Sequence, residues 1–231
     1  MKTIKYILSI LTISLFLTSC DWLEPETNPT NQIFQIAAKL VYDPSGENIF
    51  LTDDNLKLFP ANKITIPENQ KDTFLNQRYF ISFQIAEESQ LTNPNQTNYT
   101  INLLSMQLMR EENIIKINSD DAMSNYKNEQ LTIQHLWCSG QYLNIITQVA
   151  GSGSKIHNYH LFYNDNISKD TLYLTLRYDN NNDTKSYTIK QALYYNLKDY
   201  INNQKDSTTI CFNYNSGYLE YNTIYLKFAN K

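Results

Sequence analysis

From Ile33 onward the apolar residues recur mostly at every second position, which is the spacing of strands. Tyr79, Ile81, Phe83 and Ile85 share one face of a segment whose other face carries Phe80, Ser82, Gln84 and Ala86. Ahead of it, Phe34 to Val41, Ile49 to Thr52 and Leu56 to Phe59 read as three more strands. The last two are divided by Asp53-Asp54-Asn55, a hairpin signal. Residues 99–109 form a fifth segment, in which the phase slips between Leu103 and Leu104 and predicts a β-bulge or bend. Five bent strands within residues 33–117 suit a small OB-like barrel.

The second half alternates more cleanly. Leu143, Ile145, Thr147 and Val149 share a face, as do Leu172, Leu174, Leu176 and Tyr178, then Ile210, Phe212 and Tyr214, then Ile224, Leu226 and Phe228. Turn signals divide these runs at Gly151–Ser154, Asn164–Asn166, Asn180–Asp183 and Asn202–Asp206. Short alternating strands at this spacing predict an immunoglobulin-like β-sandwich over residues 130–231, so the fold class is all-β. Gln191–Tyr200 fits a strand or a helix, because Leu193 and Leu197 are also four apart. The polar stretch 118–129, with Asp120, Asp121, Asn125 and Asn128, is the expected linker between the two domains.

The N-terminus breaks the alternation. Two lysines fall within Met1–Lys5, Tyr6–Leu17 is almost wholly apolar, and Leu17-Thr-Ser-Cys20 follows at once. This is a bacterial lipoprotein signal: residues 1–19 are cleaved and the Cys20 thiol carries diacylglycerol. The apolar run falls short of the roughly 20 residues a membrane span needs. Acyl chains on one cysteine, at about 0.8 kcal/mol per buried methylene, hold a folded domain on a bilayer. Residues 20–32, polar and containing Pro25 and Pro29, read as a lipidated tether. The membrane, reached through the lipid on Cys20, is thereby an expected partner.

Charge narrows the partners further. The chain has 23 acidic and 19 basic residues and a net charge of −4. Loss of Lys2 and Lys5 with the signal makes the mature chain more acidic still. With no basic patch among interleaved aromatics, nucleic acid is not expected as a partner. The 18 tyrosines, with plentiful Thr, Ile and Phe, suit pleated half-buried surfaces. Once Cys20 is lipidated, Cys138 and Cys211 remain. Export permits a disulfide between them; each also sits in an ordinary strand pattern, and two unpaired strand residues are the favoured reading.

Catalytic signatures are missing from the sequence. No nucleophile elbow occurs, and Gly151-Ser-Gly-Ser-Lys155 lacks both the phosphate-loop spacing and a following helix, so it reads as a hairpin turn. His157 and His160 are three apart in an expected strand and point to opposite faces, which disfavours a shared metal, and neither cysteine lies in a C-x-x-C pair. Asp179 to Asp183 opens like a calcium loop, but Thr184 and Lys190 stand where the sharp-turn glycine and bidentate glutamate belong, so it reads as an Asn-rich turn. No cofactor is called for. Tyr173 and Arg177 share a face opposite the Leu172 row, and Tyr225 opposes Ile224 and Leu226. These three residues are the expected contacts for a glycan or a protein partner on an exposed sheet face.

Leu136-Trp137, Gly140, Tyr142-Leu-Asn-Ile145, the Gly151/Gly153 turn with Lys155 and His157, and Leu172 to Arg177 resemble the C-terminal domain of NigD-like proteins. Ile49 to Leu56 and Gln77-Arg78-Tyr79 resemble the N-terminal OB domain of that family. The chain departs at Asn55, where a turn glycine is expected, and after Cys20, where longer acidic runs are common. The resemblance implies a lipid-anchored, two-domain protein of a Gram-negative cell envelope, at the outer membrane, with no established activity. His157 falls where the family carries a histidine, which implies a structural hydrogen-bonding role.

Together these readings describe a non-catalytic, lipid-anchored binding or interaction module. The alternatives are an enzyme acting on glycans, which would need two carboxylates converging in a cleft, and an immunity-like protein against a bacteriocin.

Overall fold

The computed structural model describes residues 32–86, 96–164, 171–201, 207–217 and 221–229. Cys20, the signal segment 1–19 and the tether up to residue 31 lie outside the described residues, as do the turn signal at 202–206 and the end of the one at 164–166. The first five strands are β1 (Phe34–Tyr42), β2 (Asn48–Thr52), β3 (Lys57–Pro60), β4 (Arg78–Ile85) and β5 (Asn98–Leu108). They close a barrel in the order β1-β2-β3-β5-β4, with β4 returning to β1. Only β3 and β5 pair in parallel. This is the OB-like barrel expected of the alternating segments.

Its interior holds Ala38, Leu40, Phe50, Leu58, Tyr79, Ile81, Phe83 and Ile101. The phase slip is a bulge: opposite Ser82 and Phe83, β5 presents Ser105 and Leu103 and skips Leu104. Asn55 takes a φ of 63°, the left-handed conformation for which a turn glycine was expected.

Nine strands follow among the described residues: β6 (Arg110–Glu112), β7 (Ile114–Ile117), β8 (Thr132–Ser139), β9 (Tyr142–Gly151), β10 (Asn158–Asn164), β11 (Thr171–Asp179), β12 (Tyr187–Asn196), β13 (Ser207–Tyr214) and β14 (Asn222–Ala229). One sheet runs β14-β13-β11-β10-β7 and the other β6-β12-β9-β8. Between them lie Leu143, Ile145, Val149, Leu172, Leu174, Leu176, Tyr178, Ile210, Phe212, Tyr214 and Phe228, the residues that share faces in the sequence. Ile224 and Leu226 pack against the same core. The ambiguous segment 191–200 is strand through Asn196.

The domain boundary differs from the one expected at 118–129. The barrel ends at Leu108, and residues 110–117, assigned above to the barrel, belong to the sandwich. Arg110–Glu112 pairs with β12 in one sheet, and after Asn113 the chain crosses to pair Ile114–Ile117 with β10 in the other. Strands that switch sheets in this way make the corners of a sandwich. Nor do residues 118–129 link two bodies. Met123 is buried with Ile117 and Phe162, and Tyr126 packs edge-on against Phe162 with ring centroids 4.8 Å apart. Two apolar anchors in a polar stretch are enough to fasten it to the outer face of the sheet.

Candidate functional site

The strands of the barrel alternate, so the side chains beside its interior row face outward. On β4, Tyr79, Ile81 and Phe83 enter the barrel, whereas Arg78 and Phe80 face the sandwich. Strands β9 and β12 meet them with residues that face away from the sandwich core. Ile146, Ala192 and Tyr194 pack with Ala37, Phe80 and Met109, and Trp137 and Tyr142 lie against this cluster. Barrel and sandwich therefore share a third, smaller core.

At the edge of that core lies a buried ionic knot. Arg78, 6 % exposed, donates from Nη1 to Asp53 Oδ1 at 2.6 Å and from Nη2 to Asp53 Oδ2 at 2.9 Å, a bidentate pair. Nη2 also donates to Asn144 Oδ1 at 3.1 Å, across the boundary into β9. Ser139 Oγ donates to Asp53 Oδ2 at 2.6 Å and accepts from Asn144 Nδ2 at 2.9 Å, which closes the ring of bonds. The guanidinium carbon lies 4.0 Å from the centre of the Tyr142 ring and 5.3 Å from that of Tyr194. Burial, and then the Glu111 carboxylate that accepts from its hydroxyl at 3.0 Å, raise the Tyr194 hydroxyl above its ordinary range. Gly140 (φ 56°) turns β8 into β9 so close to Asp53 that an added Cβ would stand 2.8 Å from Asp53 Cβ.

Beside this knot a cleft of about 400 Å³ opens between the two domains. Ile36, Ala37, Leu56, Phe80, Leu136 and Trp137 give it apolar walls, and Gln35, Thr52, Asp53, Asp54, His135 and Ser139 supply polar groups. The Phe80 ring centroid stands 5.7 Å from that of Trp137 and 6.1 Å from that of His135. Small-molecule and peptide sites favour such a position, at a domain junction with few polar groups on an apolar lining.

A second knot lies at one end of the sandwich. Asp183 accepts from Ser152 N (2.8 Å), Gly153 N (3.1 Å) and Ser154 Oγ (2.8 Å), and also from Ser152 Oγ. The Ser152 hydroxyl foremost holds this carboxyl well below the usual range. His157, 3 % exposed, places Nε2 3.1 Å from Asp183 Oδ2 and Nδ1 2.7 Å from the Tyr178 hydroxyl. Burial raises the Tyr178 hydroxyl above its ordinary range, and both ring nitrogens of His157 are engaged, Nδ1 with that hydroxyl and Nε2 with the carboxylate. The turn that resembled a calcium loop is thus a cap for the 152–154 hairpin, and His157 sits at its centre.

The three histidines lie apart: His135 in the cleft, His157 in the knot, and His160 with its ring 4.7 Å from Tyr126. Among the described residues, no group of three or more His, Cys, Asp or Glu is arranged to hold a metal ion. Tyr173 and Tyr225 are brought together across Cys211, each being its cross-strand neighbour, and Tyr225 is 69 % exposed. Arg177 is further along β11 and engaged, donating to Tyr126 O at 2.9 Å and to Tyr221 Oη at 3.1 Å. Cys138 and Cys211 are free. Cys138 packs on the sandwich core while Cys211 neighbours the core residues Ile210 and Phe212 on the opposite face of its sheet, so the thiols do not meet.

A closed OB-like barrel sharing a core with a two-sheet sandwich defines an all-β protein of two domains. Residues 113–228 match the NigD-like C-terminal β-sandwich domain, half of the chain, and the chain belongs to the NigD-like family. The match begins where β7 enters the sandwich. Among solved structures, the chain is similar to a protein of unknown function from Bacteroides vulgatus at 21 % identity, with a TM-score of 0.65 over 85 % of this chain and 91 % of that one. It is also similar to a NigD-like immunity protein from Bacteroides caccae (17 % identity, TM-score 0.56, 88 % and 99 % covered). A third is a provisionally named lipoprotein from Bacteroides fragilis (14 % identity, TM-score 0.54, 87 % and 99 % covered). No curated protein matches the chain. No described helix is long and apolar enough to cross a membrane.

Proposed function

We propose that this protein is a non-catalytic interaction module of the Gram-negative cell envelope, held at the outer membrane through acyl chains on Cys20, and that the cleft between barrel and sandwich is its contact site. The observation that carries the reading is the joint itself. Arg78, Asp53, Asn144 and Ser139 fasten both walls, so the cleft is preformed and binding need not order it. The same bonds argue against chemistry there. Both Asp53 oxygens accept short hydrogen bonds, two from a guanidinium and one from Ser139, which commits this carboxylate to the joint rather than to a substrate. The anchor rests on the Leu17-Thr-Ser-Cys20 motif and accords with the lipoprotein name of the B. fragilis relative.

The test uses the lipidated protein in cells, with a photo-crosslinking residue at position 135 in the cleft or at 225 on the sheet face. Capture of one discrete species from 135, lost when Trp137→Ala is added, is the expected result. Equal labelling of abundant envelope proteins from both positions overturns the reading. Capture from 225 alone moves the contact to the Tyr173–Tyr225 face, where the exposed Tyr225 also suits stacking on sugar rings, with Arg177 further along the same strand as Tyr173. Radiolabelled fatty acid should enter the protein and fail to enter Cys20→Ser.

A further inference from the structure

The cleft follows the edges of two strands. His135, Leu136 and Trp137 of β8 line one wall, and Gln35, Ile36 and Ala37 of β1 line the other. Neighbouring strand residues point to opposite faces, Leu136 to the sandwich core and Trp137 to the joint, so three in a row meet one cavity where it runs along the strand's edge. Among the described residues both edges are unpaired there. β8 pairs with β9 alone, and β1 pairs with β2 only from Ala38 onward, so Phe34–Ala37 have a partner strand on the β4 side alone. In an antiparallel ladder alternate residues bond the partner, and those between turn their N–H and C=O groups outward. Each wall therefore offers backbone donors and acceptors beside apolar side chains.

Exposed edges are commonly blunted by charge, and three of the four sandwich edges follow that rule. β6 carries Arg110, Glu111 and Glu112, β7 carries Lys116 and β14 carries Lys227. β8 has no lysine, arginine, aspartate, glutamate or proline. Its bulge falls at Gln134, which leaves His135–Ser139 in register with β9. Ala37, Phe80 and Trp137 belong both to the shared core and to the cleft, so an occupant extends an interface the protein already has. Resting on the interaction-module reading, we propose that the cleft receives an extended segment of a partner protein, which pairs its backbone with the open edge of β8 and lays alternate apolar side chains against Trp137 and Phe80. At about 3.3 Å per residue, His135–Ser139 presents an edge of about 13 Å, enough for about five residues. The chain's own tether is a poor occupant, because Pro25 and Pro29 have no N–H to give a ladder.

Trp137 reports on the site directly, because the only other tryptophan is Trp22. The full chain in neutral detergent, carrying Trp22→Phe, is titrated with the capped peptide threonyl-valyl-threonyl-valyl-threonine. A second titration uses its analogue methylated on the amide nitrogen of every residue, which keeps the side chains and removes the donors. We expect a saturable change in Trp137 fluorescence with the first peptide and binding at least about fivefold weaker for the second, the worth of one or two backbone hydrogen bonds. The first peptide should also slow amide exchange within residues 132–139 and leave that of 222–229, on the charged edge of β14, unchanged. Tyr225→Ala should alter neither result. Equal binding of the two peptides overturns this proposal while the cleft remains a contact site. Slowing at 222–229 in place of 132–139 overturns it by moving the pairing to β14. Exchange at 132–139 that slows with protein concentration in the absence of peptide gives the edge to a second copy and overturns it as well. No saturable change with either peptide also overturns it, and the crosslink from position 135 then decides the broader reading on its own.

Discussion

Asp53 and Asp183 are both turn carboxylates, both nearly sealed from water, and both satisfied by a serine hydroxyl and a basic side chain, yet they organise different scales of the molecule. Asp183 gathers groups from residues 152–157, the other end of a ladder in which Tyr187 already faces Gly151. Asp53 reaches Arg78 within the barrel and Ser139 in the sandwich, 86 positions away in sequence. The first closes a hairpin that pairing has already brought together. The second joins two cores that no strand pairing among the described residues connects, since the barrel and the two sandwich sheets form separate ladders. Ionic knots of similar chemistry thus serve local closure in one place and domain assembly in the other.

The sharpest break of this comparison is Asp53→Ala. It leaves the Arg78 guanidinium buried without its counter-charge, which costs on the order of 3–5 kcal/mol. We expect a large drop in the urea midpoint and, because the shared core of Phe80, Ile146 and Tyr194 loses its clamp, separation of one unfolding transition into two. Asp183→Ala should lower the midpoint while keeping one transition. Two transitions in the Asp183 variant and one in the Asp53 variant would invert the assignment.

Next in size is a paired glycine test. An alanine Cβ at Gly151 would stand 2.6 Å from Ile189 Cδ1 and 2.8 Å from His157 Cε1; at Gly140 it would press on Asp53, in a backbone with φ 56°. Overpacking of this kind costs about 1–3 kcal/mol. Both variants should be destabilised, but only Gly140→Ala should change Trp137 fluorescence, because Trp137 sits at the joint. A matching change in Gly151→Ala would show that the two knots communicate.

Much of this architecture is legible in the residues, and the part that is not has a physical reason. Alternation marks which face of each barrel and sandwich strand is buried, and the phase slip at Leu104 is the bulge itself. A trace of the joint is also present. Leu143-Asn-Ile-Ile-Thr147 and Ala192-Leu-Tyr-Tyr195 are buried on both faces, which a simple two-layer sandwich does not require. Phe80 on the outward face of an otherwise alternating strand is the matching sign. The pairing of Arg78 with Asp53, Ser139 and Asn144 leaves no such trace, because polar partners brought together by tertiary packing have no period. Polarity points to a boundary at 118–129 rather than at Met109 for a related reason. Polarity there reflects an exposed covering segment, while the true junction at Met109 is apolar because it is buried in the shared core.

Acid titration compares the domains by a subtler effect. Asp43, in the barrel, accepts from Ser45 Oγ at 2.7 Å and Ser45 N at 3.1 Å, and from Lys57 Nζ at 3.0 Å, which lowers its pKa to about 2. Asp183 is lowered in the same direction. A carboxyl whose folded pKa lies below its unfolded value contributes stability above the unfolded pKa, and that contribution fades as pH falls through the folded one. For Asp43 the window runs from about pH 4 down to about pH 2. Melting temperatures of wild type and Asp43→Asn should therefore differ at neutral pH and converge across this window. Asp183→Asn should behave alike, with convergence at still lower pH. A gap that widens on acidification in either variant would reverse the sign of its argument.

The smallest effect concerns the thiols. Cys138 lies on β8, the strand that also carries Trp137 and Ser139 to the joint, and burial pushes its thiol up to about 12. Thiolate is the reactive form, so at about pH 8 this cysteine should resist alkylation while the fold is intact. In Cys20→Ser, iodoacetamide should leave Cys138 unmodified in buffer and modify it in urea, as read by peptide mass. Both Cys138 and Cys211 should be counted as free thiols in urea without reductant. The experiment also bears on the comparison of the two knots. Because β8 is an edge strand paired with β9 alone and its Trp137 face packs on the joint, loss of the joint should let β8 fray from β9 and uncover Cys138 before the rest of the sandwich unfolds. Asp53→Ala should therefore accelerate its alkylation in buffer and Asp183→Ala should not; equal acceleration by both would mean that the sandwich loosens as a whole and that the joint has no separate stability.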